Sequence, residues 1–78
     1  MKILVKNLAR ASKESDIQAL FAQYGEVASC DLVVDAKIGV SKGIAHIDMP
    51  AIAEAKNAIS NLNNSTLDGK QIQVKKSK

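Results

Sequence analysis

Lys42-Gly43-Ile44-Ala45-His46-Ile47-Asp48-Met49 alternates without a break, with Gly43, Ala45, Ile47 and Met49 on one side and Lys42, Ile44, His46 and Asp48 on the other. A two-residue period sustained over this length is that of a β-strand with one face in a core and the other open. Its buried side is small and aliphatic, so this strand fits the middle of a sheet. What surrounds it has to supply the neighbours and the cover.

Immediately downstream, Pro50 fits the first position of a helix, and Ile52, Ala55, Ile59 and Leu62 make its inward stripe, with alanines that allow close approach to a sheet. Asn61 to Asn64 ends that helix in a polar turn. Upstream, Val27 to Val34 alternates again, with Cys30, Leu32 and Val34 facing one way and Ser29, Asp31 and Val33 the other. The segment from Asp35 to Ser41, with Gly39, reads as the loop between the two strands.

Farther out, Lys2 to Asn7 is a strand by its period and β-branching, with Ile3 and Val5 inward and Lys2, Leu4 and Lys6 outward. Ile17, Leu20, Phe21 and Tyr24 then fall at i, i+3, i+4 and i+7, the stripe of an amphipathic helix. Ser12 fits its N-cap, Glu14 and Asp16 its first turn, and Gly25 its end. The chain's single Phe and single Tyr are both on this stripe, committed to the core. Thr66-Leu67-Asp68-Gly69 is a turn, and Lys70 to Lys76 alternates once more, burying Ile72 and Val74 and exposing Gln71, Gln73 and Lys75. The order β-α-β-β-α-β, with right-handed crossovers, predicts an α+β, ferredoxin-like sandwich. Its four-stranded antiparallel sheet has strand order 4-1-3-2 and carries two helices on one face. Residues 1–76 are expected to form this one domain and residues 77–78 a disordered basic tail.

Composition narrows the function. At 78 residues the chain is near the lower limit for a single core without staples. Its one cysteine, Cys30, has no partner for a disulfide, which points to a reducing cytoplasm. Met1 to Val5 begins as a signal peptide does, but Lys6 and Asn7 interrupt the apolar run far too early, and no segment reaches membrane-spanning length. The net charge of +3 leans towards a polyanion, and its placement says more. Lys2, Lys6, Lys42, Lys70, Lys75, Lys76 and Lys78 sit on or beside strands and the tail, whereas Glu14, Asp16 and Glu54 sit in helices. No metal, cofactor or catalytic constellation is expected: the single His46 has no second ligand, no glycine loop cradles an anion, and the first loop lacks paired cysteines. The overlapping sequons in Asn63-Asn64-Ser65-Thr66 are explained by a structural turn.

With the two central strands placed, Ile3-Leu4-Val5-Lys6-Asn7-Leu8 resembles the hexamer motif of the RNA-recognition motif family, and Lys42 to Met49 resembles its octamer. Ile17 to Val27 is similar to the family's first helix and its exit, and Leu67 to Val74 to its approach to the last strand. Asp35, Gly39, Ser41 and Lys42 are similar to its loop before the third strand. This resemblance implies an RNA-binding module that stacks bases on three aromatic side chains of the open sheet. The matching positions here are Leu4, Ile44 and His46, while Met49 stands where the octamer has a core aromatic.

The resemblance therefore implies weak, low-specificity binding of single-stranded RNA, or of single-stranded DNA, on the sheet face. Lys2, Lys6, Lys42 and Lys75 would hold phosphates, His46 would stack, and Leu4, Ile44 and Gln73 would complete the surface. A stacked base is worth roughly 1–3 kcal/mol, and losing about half of that at each of two sites weakens binding by about one to two orders of magnitude. The rival expectation is a protein-interaction or self-association module. In that reading Leu4 and Ile44, as cross-strand neighbours, join Val33 in a patch for a protein partner or a weak homodimer.

Overall fold

Each of the four alternating stretches contributes one strand to the main sheet in the computed structural model, which describes residues 1–34, 37, 39 and 41–77, with the backbone alone at 41 and 42. The elements are β1 (Lys2–Lys6), α1 (Glu14–Ala22), β2 (Ser29–Val34), β3 (Ser41–Asp48), α2 (Ile52–Leu62), β4 (Thr66–Leu67), β5 (Lys70–Gln71) and β6 (Gln73–Lys76). The main sheet runs β2-β3-β1-β6, antiparallel throughout, so the two motif strands are its centre. This is the ferredoxin-like βαββαβ fold, with β6 as its fourth strand.

Ile3 and Val5 of β1, Cys30 of β2, Ala45 and Ile47 of β3, and Val74 of β6 point to the same side, where Ile17 and Phe21 of α1 and Ala55, Ala58 and Leu62 of α2 close over them. Phe21 is the largest fully buried side chain, and both it and Met49 are completely buried. Met49 thus fills the core slot that the octamer resemblance assigns to an aromatic ring, as an adaptable thioether can.

Several local expectations are corrected. Ser12 is not the N-cap of α1: Lys13 is, in extended conformation, and the Asp16 carboxylate accepts the Lys13 N–H at 3.1 Å. The Ser12 hydroxyl is buried and donates to Asp68 Oδ2 at 2.7 Å, tying the first loop to the β4–β5 turn. Gly25 does not end α1 in a left-handed turn, since the cap is Gln23 in right-handed helical conformation. Gly25 is required instead because the Glu54 side chain of α2 lies where a Cβ would be.

Pro50 precedes α2 rather than opening it, because Ala51 is the N-cap and accepts the Ala55 N–H at 2.9 Å. Ile52, expected on the inward stripe, is 58% exposed. Ala55, Ala58 and Leu62 set the buried face, and at about 100° per residue Ile52 falls on its flank. Val34 is likewise 46% exposed, at the end of an edge strand just past a register irregularity.

The last strand is split. Lys70–Gln71 pairs with Thr66–Leu67, closing a tight hairpin whose two turn residues, Asp68 and Gly69, both have positive φ (50° and 82°) as a type I′ turn requires. Ile72 is the pivot from this hairpin to β6, and its side chain is fully buried. At the same end of the sheet, where β1 ends, Gly43 has φ +77° and its carbonyl accepts the Leu8 N–H at 3.0 Å. A Cβ there would meet the Leu8 carbonyl oxygen at 3.0 Å, so the glycine lets the exit of β1 cross close to β3.

Candidate nucleic-acid interface

Because successive residues of a strand point to opposite faces, burying Ile3, Val5, Ala45, Ile47 and Val74 turns Leu4, His46 and Lys75 outward. The register then decides who meets whom. Lys75 of β6, Leu4 of β1, His46 of β3 and Asp31 of β2 are successive cross-strand partners, forming one row over all four strands. Lys6 faces Gln73 and Val33 faces Ile44 on one side of that row. Lys2 faces Asp48, which faces Ser29, on the other.

His46, Lys2, Gln73 and Lys75 are exposed, whereas Leu4, Lys6, Val33 and Ile44 are half-buried. Leu4 and Ile44 are not direct cross-strand neighbours as expected. Leu4 stands opposite His46, and Ile44 is its diagonal neighbour, farther off by about 2–3 Å in such a pair. The aliphatic patch of Leu4, Ile44 and Val33 is therefore contiguous but skewed, with His46 at its border. The Lys42 side chain, the Asp35 end of the loop and the tail residue Lys78 lie outside the described residues.

Two groups on this face have roles that alternation alone does not reveal. Asp31 is exposed directly across from His46, and the Asp48 carboxylate lies 3.7 Å from the Met1 amino nitrogen. Lys2, Ser29, Asp31, His46, Asp48 and Ser77 line an open hollow of about 330 Å³ at this end of the sheet. Ser77 enters because its N–H donates to the Lys2 carbonyl at 2.8 Å, carrying the β1–β6 ladder one bond past Lys76. The sequence shows that both aspartates face outward. It contains no turn signature that sets the β2–β3 register, so it could not place Asp31 beside His46.

The β2 edge is partly closed, with the Leu32 N–H donating to Glu14 Oε2 at 3.3 Å. Beneath it, Cys30 is buried with its Sγ 3.7 Å from the Glu14 carbonyl oxygen. Burial first, and then the Glu14 and Asp31 carboxylates, push its thiol pKa up to about 11. Only about one thiol in a thousand is then ionised at pH 8, and the thiolate is the reactive form. Native alkylation by iodoacetamide at pH 8 is expected to be about a hundredfold slower than in denaturant; equal rates would contradict the buried thiol. Since the folded state holds this proton more tightly, the associated stability is intact below the ordinary thiol range of about 8.5 and is lost as pH rises through about 11.

Among the described residues no three His, Cys, Asp or Glu side chains cluster to hold a metal ion, and no helix is long and apolar enough to cross a membrane. The surface offers instead a shallow basic and aliphatic platform, with the imidazole of His46 on a central strand and the exposed carboxylate of Asp31 beside it on the edge strand.

Known proteins are similar to this chain in sequence and in fold. The family model described as RNA recognition motif matches residues 3–73. RbpD of Nostoc sp., described by its name as a candidate RNA-binding protein, is 37% identical over 78 residues, which are 100% of this chain and 83% of that protein. Two chloroplast ribonucleoproteins of Nicotiana sylvestris, of 31 and 28 kDa, are each 34% identical, and the match spans only 23% and 26% of their lengths. Among solved structures, the RNA-binding protein PG1 superposes with a TM-score of 0.95 at 32% identity, covering 99% of this chain and 93% of that one. The Sex-lethal protein in complex with RNA superposes with a TM-score of 0.93 at 27% identity, covering 99% of this chain and 46% of that one. With hexamer and octamer on adjacent central strands, and a family match running from β1 into β6, this chain belongs to the RNA recognition motif family.

Proposed function

We propose that the domain binds single-stranded RNA across the open face of its sheet, with low intrinsic affinity and little sequence preference, and without catalysis. The observation that supports this best is the row of Lys75, Leu4 and His46 over β6, β1 and β3, which sets a cation, an aliphatic contact and an exposed ring side by side. Lys2, Lys6, Lys42 and Lys75 hold phosphates, which fixes the strand but carries no base information. His46 stacks one base, Leu4 and Ile44 give sequence-tolerant apolar contact, and Gln73 adds a hydrogen-bonding edge. Single-stranded DNA is held by the same contacts. A reducing cytoplasm suits the single buried thiol.

The test is a titration with short unstructured RNA at low salt, following backbone amides. Shifts centred on β1 and β3 are expected, with the affinity falling steeply as salt rises. Lys75→Ala should weaken all sequences alike and reduce the slope of log K against log[salt] by about 0.7, the value for one lost contact to a single strand. No movement of β1 or β3 amides at millimolar RNA would sink this reading. If the protein instead self-associates, and Ile44→Lys abolishes the association without unfolding it, the Leu4, Val33 and Ile44 patch belongs to a protein partner.

A further inference from the structure

The hollow beside His46 carries a feature that a merely sequence-tolerant platform does not need: a carboxylate directly across the strand from the ring on which a base would lie. Asp31 is exposed and is the cross-strand partner of His46. Asp48, two residues along β3, has Lys2 as its cross-strand partner and the Met1 amino nitrogen 3.7 Å from its Oδ1, so its charge is already answered. An ionised carboxylate only accepts hydrogen bonds, and near a phosphate chain it is repulsive unless a donor edge meets it. On a surface that attracts a polyanion, a carboxylate at this place disfavours any base that brings it no donor.

We propose that, on a face otherwise tolerant of sequence, Asp31 makes this one pocket selective for guanine, a reading that rests on RNA binding by the sheet face. Guanine alone among the four bases presents two adjacent donors on its Watson–Crick edge, N1–H and N2–H, which match the two oxygens of a carboxylate. Uracil presents one N–H flanked by two carbonyl oxygens, which the carboxylate repels. Cytosine and adenine present one amino donor next to an acceptor nitrogen. Directly opposed side chains stand about 4.5–5.5 Å apart at Cβ, so a base lying over the His46 ring has its edge within reach of Asp31. The hollow, about 330 Å³ and lined by both residues, gives that base a place.

The experiment compares the hexamers UUUUUU, UUGUUU, UUCUUU and UUAUUU, together with UUGUUU carrying inosine for guanosine, at one low salt concentration. Wild-type protein is expected to bind the guanosine hexamer about tenfold more tightly than UUUUUU, as one bidentate pair allows, and inosine, which lacks the N2 amino group, should lose most of that gain. Asp31→Asn should collapse the ratio towards one while binding UUUUUU no worse than wild type, and Asp48→Asn should leave the ratio standing. Equal binding of all hexamers by the wild type, with β1 and β3 amides still moving, overturns guanine selection and leaves RNA binding intact. A ratio unchanged in Asp31→Asn, or lost only in Asp48→Asn, overturns the role of Asp31. If no hexamer moves the sheet amides, the RNA-binding reading fails and this inference falls with it.

Discussion

Leu4→Tyr, Ile44→Phe and His46→Phe, introduced together, are expected to tighten binding of a short unstructured RNA by about ten- to a hundredfold. A base stacked on an aromatic ring gains roughly 1–3 kcal/mol, and an aliphatic side chain already supplies about half of this through dispersion and apolar contact. Two aliphatics replaced by rings then return about 1–3 kcal/mol, and each 1.4 kcal/mol is a factor of ten. His46→Phe adds little, as one ring replaces another. All three side chains stand on the open face, Leu4 and Ile44 half-buried and His46 exposed, so none is drawn from the core. Fluorescence anisotropy at fixed salt reads the affinity, and thermal unfolding checks that the fold is kept. A folded triple variant with wild-type affinity would mean that RNA does not lie across this face.

Phe21→Ala is expected to abolish cooperative folding at 37 °C. Phe21 is the largest of the fully buried side chains and stands on α1, whose only other buried residue is Ile17. Truncating a buried Phe costs about 3–5 kcal/mol, through lost transfer energy and the cavity left behind. A single core in a chain of this length rarely supplies more than about 3–5 kcal/mol in total. The substitution thus removes a free energy similar to the whole stability. Urea unfolding followed by circular dichroism should show no native baseline at 37 °C. A cooperative transition near the wild-type midpoint would show that α1 contributes little to the core. The contrast with the first prediction is topological: positions 4 and 44 tolerate new rings because they face outward, whereas the ring at 21 fills the space between α1 and the sheet.

Strand and helix periods in the sequence carried most of the architecture. Ile3 and Val5, Ala45, Ile47 and Met49, and Ile72 and Val74 were all legible as core because burial of one sheet face imposes a period of two on the chain. The order of the strands followed from crossover handedness. Helix ends were less legible, since Ser12, Gly25 and Pro50 are the right residue types near the right places, and each is one or more positions from where it would act as a cap. Ser12 is held by Asp68 and Gly25 by Glu54, partners distant in sequence that no local pattern reveals. Ile52 failed for a related reason, because the helix face is set by what Ala55 and Ala58 can pack against.

The candidate site divides along the same line. The sequence by itself determined which residues face outward on the central strands, Lys2, Leu4 and Lys6 on one and Ile44, His46 and Asp48 on the other, because a strand buried on one side has no choice in its phase. It also determined that the chain has no ring but His46 to offer on this face, since Phe21 and Tyr24 fall on the core stripe of the first helical segment, where the structure places Phe21 on α1 and Tyr24 in the turn after it. Only the tertiary structure decided the neighbours. Register between strands is a relation of two segments, and sliding β2 by two residues against β3 would keep every side chain on its own face while moving Asp31 away from His46. The pairing of Leu4 with His46 rather than Ile44, and of His46 with Asp31, was settled by the four-stranded antiparallel sheet as a whole.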